Sequence, residues 1–158
     1  MYRSPKIVFA KIARRAEAFY DETGEFASIN TNCIHNFSEK YDPLYVLAWV
    51  NSRLFQYVYE CLFDGLRMAG GFLPYSAPYL SNMCIKDAPG PEQQAIAKLA
   101  QKAIDQKTAG LGSESVDAQI DLAIYALFGL SGEEIAHIEL AVSSEQEADA
   151  PDDAVEVE

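Results

Sequence analysis

Apolar residues along the chain recur with different spacings, and each spacing predicts a different element. Lys6 to Ile12 (KIVFAKI) is rich in β-branched and aromatic residues and predicts a buried strand. Asp21-Glu22-Thr23-Gly24 then predicts a tight turn, with Gly24 supplying a positive φ. Phe26 to Ile29 and Cys33 to Phe37 are further strand candidates. Between them, Asn30-Thr31-Asn32 reads as a turn or bulge. From Asp42 to Phe63 the chain is almost continuously hydrophobic. Asp42 is a good N-cap and Pro43 fits the first helical position. Leu44, Leu47, Ala48, Leu54, Phe55, Val58 and Leu62 follow at helical spacing, so one long central helix over 42–63 is expected. Asn51 falls on its apolar face and needs backbone partners from a neighbouring loop or strand. A membrane span has this length, but Asn51-Ser52-Arg53 and Gln56 at its centre assign the stretch to a soluble core.

The stretch 64–91 contains Gly65, Gly70 and Gly71 and four of the seven prolines, which predicts a long structured loop of the kind that often carries function. A short strand is expected near Met83 to Lys86. Helical spacing returns at Glu92 to Lys107 and at Val116 to Phe128, where Gly129 takes the C′ position. Ser131-Gly132-Glu133-Glu134 has capping-box spacing and opens a last helix expected to end near Val142. Residues 143–158 are small and acidic, too polar to pack, and are expected to form a disordered tail. Strands first and helices later predict an α+β domain. Its small N-terminal β-sheet packs on the central helix within residues 1–91, and residues 92–142 form a helical C-terminal part.

Length and charge refine this picture. The 158 residues, 49% of them hydrophobic, can bury one domain-sized core. The net charge of −12 is divided unevenly: residues 1–86 hold nine Lys/Arg against eight Asp/Glu, and residues 87–158 hold three against sixteen. Such a division can place opposite fields on two faces of one molecule. Cys33, Cys61 and Cys84 lack metal-ligand spacing and read as reduced, buried thiols of a cytoplasmic protein. Met1 to Pro5 carries no cleavable signal pattern. The strand pattern starts almost at once, as expected of a piece of a longer polypeptide.

Motifs for catalysis are missing: there is no phosphate loop, GxSxG elbow or HExxH helix. No catalytic residue, metal or cofactor is therefore expected. His137, one turn after Glu133, reads as half of a surface ion pair. What remains is the basic material on the first strand and its exit, Lys6, Lys11, Arg14 and Arg15, together with Asn30, Asn32 and Arg67. Phosphate contacts call for flexible cations, and base edges are read by Arg, Asn, Gln or Lys on a ribbon or loop. The plainer alternative is an ordinary solvated surface.

The order of several segments resembles the TaqI-like C-terminal specificity domain of adenine-N6 DNA methyltransferases and fused restriction–modification enzymes. Ser4-Pro5-Lys6-Ile7-Val8 is similar to that family's Pro-Lys-Ile strand. Tyr20-Asp21-Glu22-Thr23-Gly24 and Asn30-Thr31 follow in order, and Leu47 to Leu54 (LAWVNSRL) is similar to its Leu-Leu-Asn-Ser helix. Gly70-Gly71, Tyr79-Leu80 and Asp121 to Glu134 (DLAIYALFGLSGEE) complete the likeness, which runs over residues 4–139. Met83-Cys84-Ile85-Lys86 departs from the family's Leu-Pro-Ile-Pro, which puts the local loop path in question, and the acidic tail has no counterpart. The resemblance implies recognition of double-stranded DNA on behalf of a methyltransferase domain elsewhere in a parent polypeptide, such as a type II enzyme, with no catalysis by this chain and no membrane partner. Lys11, Arg14 and Arg15 are the first candidates for DNA contact, and Asn30, Thr31, Asn32, Arg67 and Tyr75 the second. The alternative is a protein–protein docking module or an acidic DNA mimic of the anti-restriction kind.

Overall fold

The computed structural model describes residues 3–148, with side chains as far as Ser143. Strand β1, Lys6–Ala10, is the middle of a three-stranded antiparallel sheet ordered β3-β1-β4, with β3 at Ala18–Asp21 and β4 at Thr31–His35. Alternation along β1 sends Ile7 and Phe9 into the main core, while Lys6 and Val8 face the other side of the sheet. On that side Lys6 Nζ pairs with Asp21 at 2.8 Å and donates to Gly24 O at 2.7 Å, drawing the segment after β3 back over the strand. Gly24 has φ +72°, as expected, and a Cβ there would sit 2.5 Å from the Ser4 backbone.

The expected strand Lys6 to Ile12 is interrupted at Lys11. Ile12–Ala13 (β2) leaves the first sheet and pairs with Leu73–Pro74 (β5) in a separate two-stranded ribbon. Two other expectations are corrected here. Phe26 to Ile29 is not a strand, and Thr31 and Asn32 lie on β4, where backbone pairing with β1 overrides their turn preference. The expected strand near Met83 to Lys86 is absent as well.

The central helix is two helices, α1 (Pro43–Asn51) and α2 (Arg53–Phe63), meeting at Ser52 in extended geometry. Ser52 terminates one and starts the other. Its Oγ donates to Trp49 O at 2.8 Å and accepts from Phe55 N at 3.1 Å, local bonds that compete with helix continuation. The break re-phases α2, so Leu62, expected in the core stripe, is exposed, whereas Tyr59 is fully buried. A 3-10 turn at Asp64–Leu66 and a single helical turn α3 (Ala77–Leu80) lie in the long loop.

Helices α4 (Gly90–Thr108), α5 (Glu114–Phe128) and α6 (Gly132–Ala148) complete the fold. Helix α4 packs on α1 and α5, and α6 packs on α2. Gly129 adopts φ +71°, and Ser131 and Glu134 cap each other reciprocally, Ser131 N to Glu134 Oε2 at 2.8 Å and Glu134 N to Ser131 Oγ at 3.3 Å. Helix α6 continues past Val142 to Ala148, six residues into the expected tail; residues 149–158 lie outside the described residues. All three cysteines are exposed, correcting the expectation of buried thiols. Cys61, for example, shares the solvent-facing side of α2 with Leu62. The architecture is α+β.

Candidate nucleic-acid interface

The point where the chain changes sheets, at Lys11, organises the cationic edge. Lys11 N donates to Asn30 O at 3.0 Å, and Lys11 O accepts from Tyr75 N at 2.7 Å, so one residue joins β1, the start of β4 and β5. The exposed Lys11 side chain reaches Ile29 O at 2.6 Å. Beside it, the turn Ser28–Thr31 is pinned by Asn30 N to Ser28 Oγ at 3.2 Å and Thr31 Oγ1 to Ser28 O at 3.1 Å. Asn30 is exposed at this turn and Thr31 half-buried. Asn32 turns inward, and its Nδ2 donates to Tyr75 O at 2.6 Å.

Tyr75 is 1% exposed. Its ring stacks on Tyr59 with centroids 4.6 Å apart and its hydroxyl reaches Gln56 Oε1 at 3.2 Å. Burial pushes the phenol's pKa well above its usual value. The expectation of Tyr75 as a contact residue is corrected by this placement, since its side chain belongs to the core.

Past β2 the chain bends at Arg14 and Arg15, and the two arginines meet different partners. Arg14 extends the β2–β5 register and lies across from Phe72, its guanidinium carbon 5.3 Å from the ring centroid. Arg15 bonds Glu17 through Nε at 2.7 Å and lines a cleft of about 630 Å³ between residues 15–18, the helix break and α5. Glu114, Asp117 and Asp121 line the same cleft, and Lys11 and Arg14 do not. Arg67 is half-buried; it pairs with Asp64 at 2.7 Å and Glu60 at 3.8 Å and donates to Gly71 O at 3.4 Å, bracing the loop. Lys11, Asn30 and Thr31 thus come together, with Arg14 three residues further along, while Arg15 and Arg67 are engaged elsewhere.

Two residues that hold this edge in place, Gln56 and Asn51, come from the helices. Gln56 Oε1 accepts from Ala16 N at 3.1 Å and its Nε2 donates to Arg14 O at 3.4 Å and to Glu60. Asn51 Oδ1 accepts from Ala18 N at 2.8 Å and its Nδ2 donates to Ala18 O at 2.9 Å. Backbone partners from a neighbouring strand were expected for Asn51, but the residue itself is exposed. Gln56 was visible in the sequence only as a polar break in an apolar run. His137 meets Tyr57 edge-on at 5.7 Å, and among the described residues no group of three or more His, Cys, Asp or Glu is arranged to hold a metal ion. Among them, too, no helix is long and apolar enough to cross a membrane.

A family model, that of the TaqI-like C-terminal specificity domain, matches residues 1–83, just over half of the chain. The chain belongs to this family. No curated protein matches it. The matched stretch takes in both sheets, α1 to α3 and the Lys11–Arg14 edge, and stops before α4. Within the TaqI-like specificity domain, the Asn51-Ser52 pair therefore has a physical meaning: Asn51 ties β3 to the helix, and Ser52 makes the break. The three C-terminal helices, including Asp121 to Glu134, lie beyond the matched residues.

Proposed function

We propose that this chain reads double-stranded DNA as the target-recognition part of an adenine-specific methyltransferase of a cytoplasmic restriction–modification system, of type II. In this reading the methyltransferase domain lies elsewhere in a parent polypeptide, and the chain itself performs no reaction. The observation that carries the proposal is the coincidence of the family match with an exposed Lys11–Arg14 edge at the junction of two sheets. Lys11 and Arg14 take the phosphate contacts. Asn30 and Thr31, on the pinned turn beside Lys11, take base edges or backbone in this reading, contacts that amide and hydroxyl side chains can make with DNA. Arg15 acts at the rim, weakened by Glu17, and Asn32, Arg67 and Tyr75 serve as scaffold.

A salt titration tests this. Each phosphate contact contributes about 0.9 to the slope of log K against log salt. Duplex binding by the chain should fall steeply with salt, and Lys11→Gln with Arg14→Ala together should lower the slope by about 1.8. Arg15→Ala should change it less. An unchanged slope in the Lys11/Arg14 double variant overturns the assignment of phosphate contacts to this edge.

A further inference from the structure

The turn that leads into β4 holds a residue that the fold does not ask for. Thr31 N meets Ser28 O at 3.5 Å, so Ile29 and Asn30 are the two central residues of a four-residue turn. Such positions favour Gly, Pro, Asn, Asp and Ser, which set the backbone angles or bond to the backbone, and an isoleucine side chain does neither. The core does not explain it either. Ile29 is 86% exposed, a greater exposure than that of any other large apolar side chain among the described residues. The turn that carries it is nevertheless braced. Ser28 Oγ accepts from Asn30 N, Ser28 O accepts from Thr31 Oγ1, and Lys11 holds both Ile29 O, through Nζ at 2.6 Å, and Asn30 O, through its backbone N–H at 3.0 Å. A single exposed apolar side chain is ordinary on a protein surface. This one differs in its neighbours, because Lys11 grips its carbonyl and the exposed Asn30 follows it in the turn.

We infer that Ile29 is a specificity-determining residue that packs against the 5-methyl group of a thymine in the major groove. Of the four bases only thymine presents a methyl there, and apolar side chains recognise it. Its partner adenine presents N7 and N6–H, the pair of groups that an asparagine amide bonds through its own nitrogen and oxygen. Ile29 and Asn30, adjacent in the turn, therefore match an A·T pair in chemical type. The apolar contact supplies what the cations of the edge lack, an attraction that salt does not screen and that separates thymine from cytosine. A β-branched side chain on a braced turn also has little freedom left to lose when the base arrives. The inference rests on the DNA reading above.

The test uses the full 158-residue chain and a duplex selected for binding to it from a randomised pool. The duplex is then remade with deoxyuridine in place of thymine, which removes the methyl groups and no hydrogen-bonding atom. Wild type should bind the uracil duplex roughly fourfold more weakly for each contacted methyl, the equivalent of one buried CH₂ group. Ile29→Ala should bind the two duplexes alike, with the salt slope of wild type because no cation is lost. Ile29→Val, which keeps a branched apolar side chain, should still tell them apart. Matched unfolding curves control for loss of fold. The methyl readout is overturned, and the DNA reading stands, if wild type binds both duplexes equally, if Ile29→Ala still discriminates, or if selection enriches no sequence while binding remains salt-dependent. If wild type shows no salt-dependent duplex binding, the DNA reading fails and the inference falls with it.

Discussion

Lys6 shows how a basic residue next to a candidate interface can belong wholly to the scaffold. Only 4% exposed, it is bound to Asp21, whose carboxylate also accepts from Gly24 N at 2.9 Å, Phe26 N at 2.8 Å and Thr23 Oγ1 at 3.2 Å. The Lys6 ammonium first, and then these donors, lower the Asp21 pKa to about 2. A carboxyl depressed in the folded state binds its proton more readily once unfolded, so its contribution is complete above the unfolded pKa of about 3.9 and is lost as pH falls from there toward 2. Denaturant titrations on the acid side of pH 4 should show stability falling in this window, and Asp21→Asn, less stable at neutral pH, should show a shallower fall. Equal slopes for the two proteins would remove the pair from the acid-sensitive groups.

Among the elements, the break at Ser52 governs most of what lies around it. It frees Arg53 N to bond Asp121 Oδ1 of α5 at 2.9 Å, and it turns the Arg53 guanidinium toward Glu139 of α6, which also accepts from Tyr125 OH at 2.6 Å. Periodicity alone could not show this break, because the residues on both sides are apolar and good enough helix formers, and the choice depends on Ser52 capping and on a carboxylate some seventy positions later. The same applies to β5 and to the start of β4, which exist only through long-range pairing. What the sequence did reveal were features decided locally: the Gly24 turn, the Asp42 cap, the Ser131–Glu134 capping box and Gly129. The cationic edge was legible as residue types but not as a surface, since the cleft that Arg15 lines is formed by the bend at residues 14–15 and by α5, a hundred positions away. Burial raises the Asp121 pKa to about 6, with Arg53 opposing. The sign is opposite to that of Asp21: the unfolded state ionises first, so stability is lost as pH rises from about 4 to about 6. Asp121→Asn should remove a loss of roughly 3 kcal/mol across that interval, read as the difference in unfolding free energy between wild type and variant. A constant difference from pH 4 to 7 would refute the assignment.

For the molecule as a whole, the difficulty is electrostatic. In the proposed reading, a chain of net charge −12 approaches a polyanion through one short edge. Like-charged fields slow such an encounter at low ionic strength and fade once the screening length falls below the separation of the charges, about 8 Å at physiological salt. The edge is carried by the half of the chain that is close to neutral, and the excess acid lies after residue 86. Residues 149–158 alone hold five of the acids and no base, so their removal brings the net charge to −7. Truncation after Ala148 should therefore strengthen duplex binding several-fold at low salt, mainly through a faster association rate, and should have no effect at high salt. Stopped-flow association measured across a salt series checks both parts. A gain that persists at high salt would mean the tail acts by occupying the edge directly, whereas no gain at any salt would mean that its charge is remote from the path of the incoming DNA.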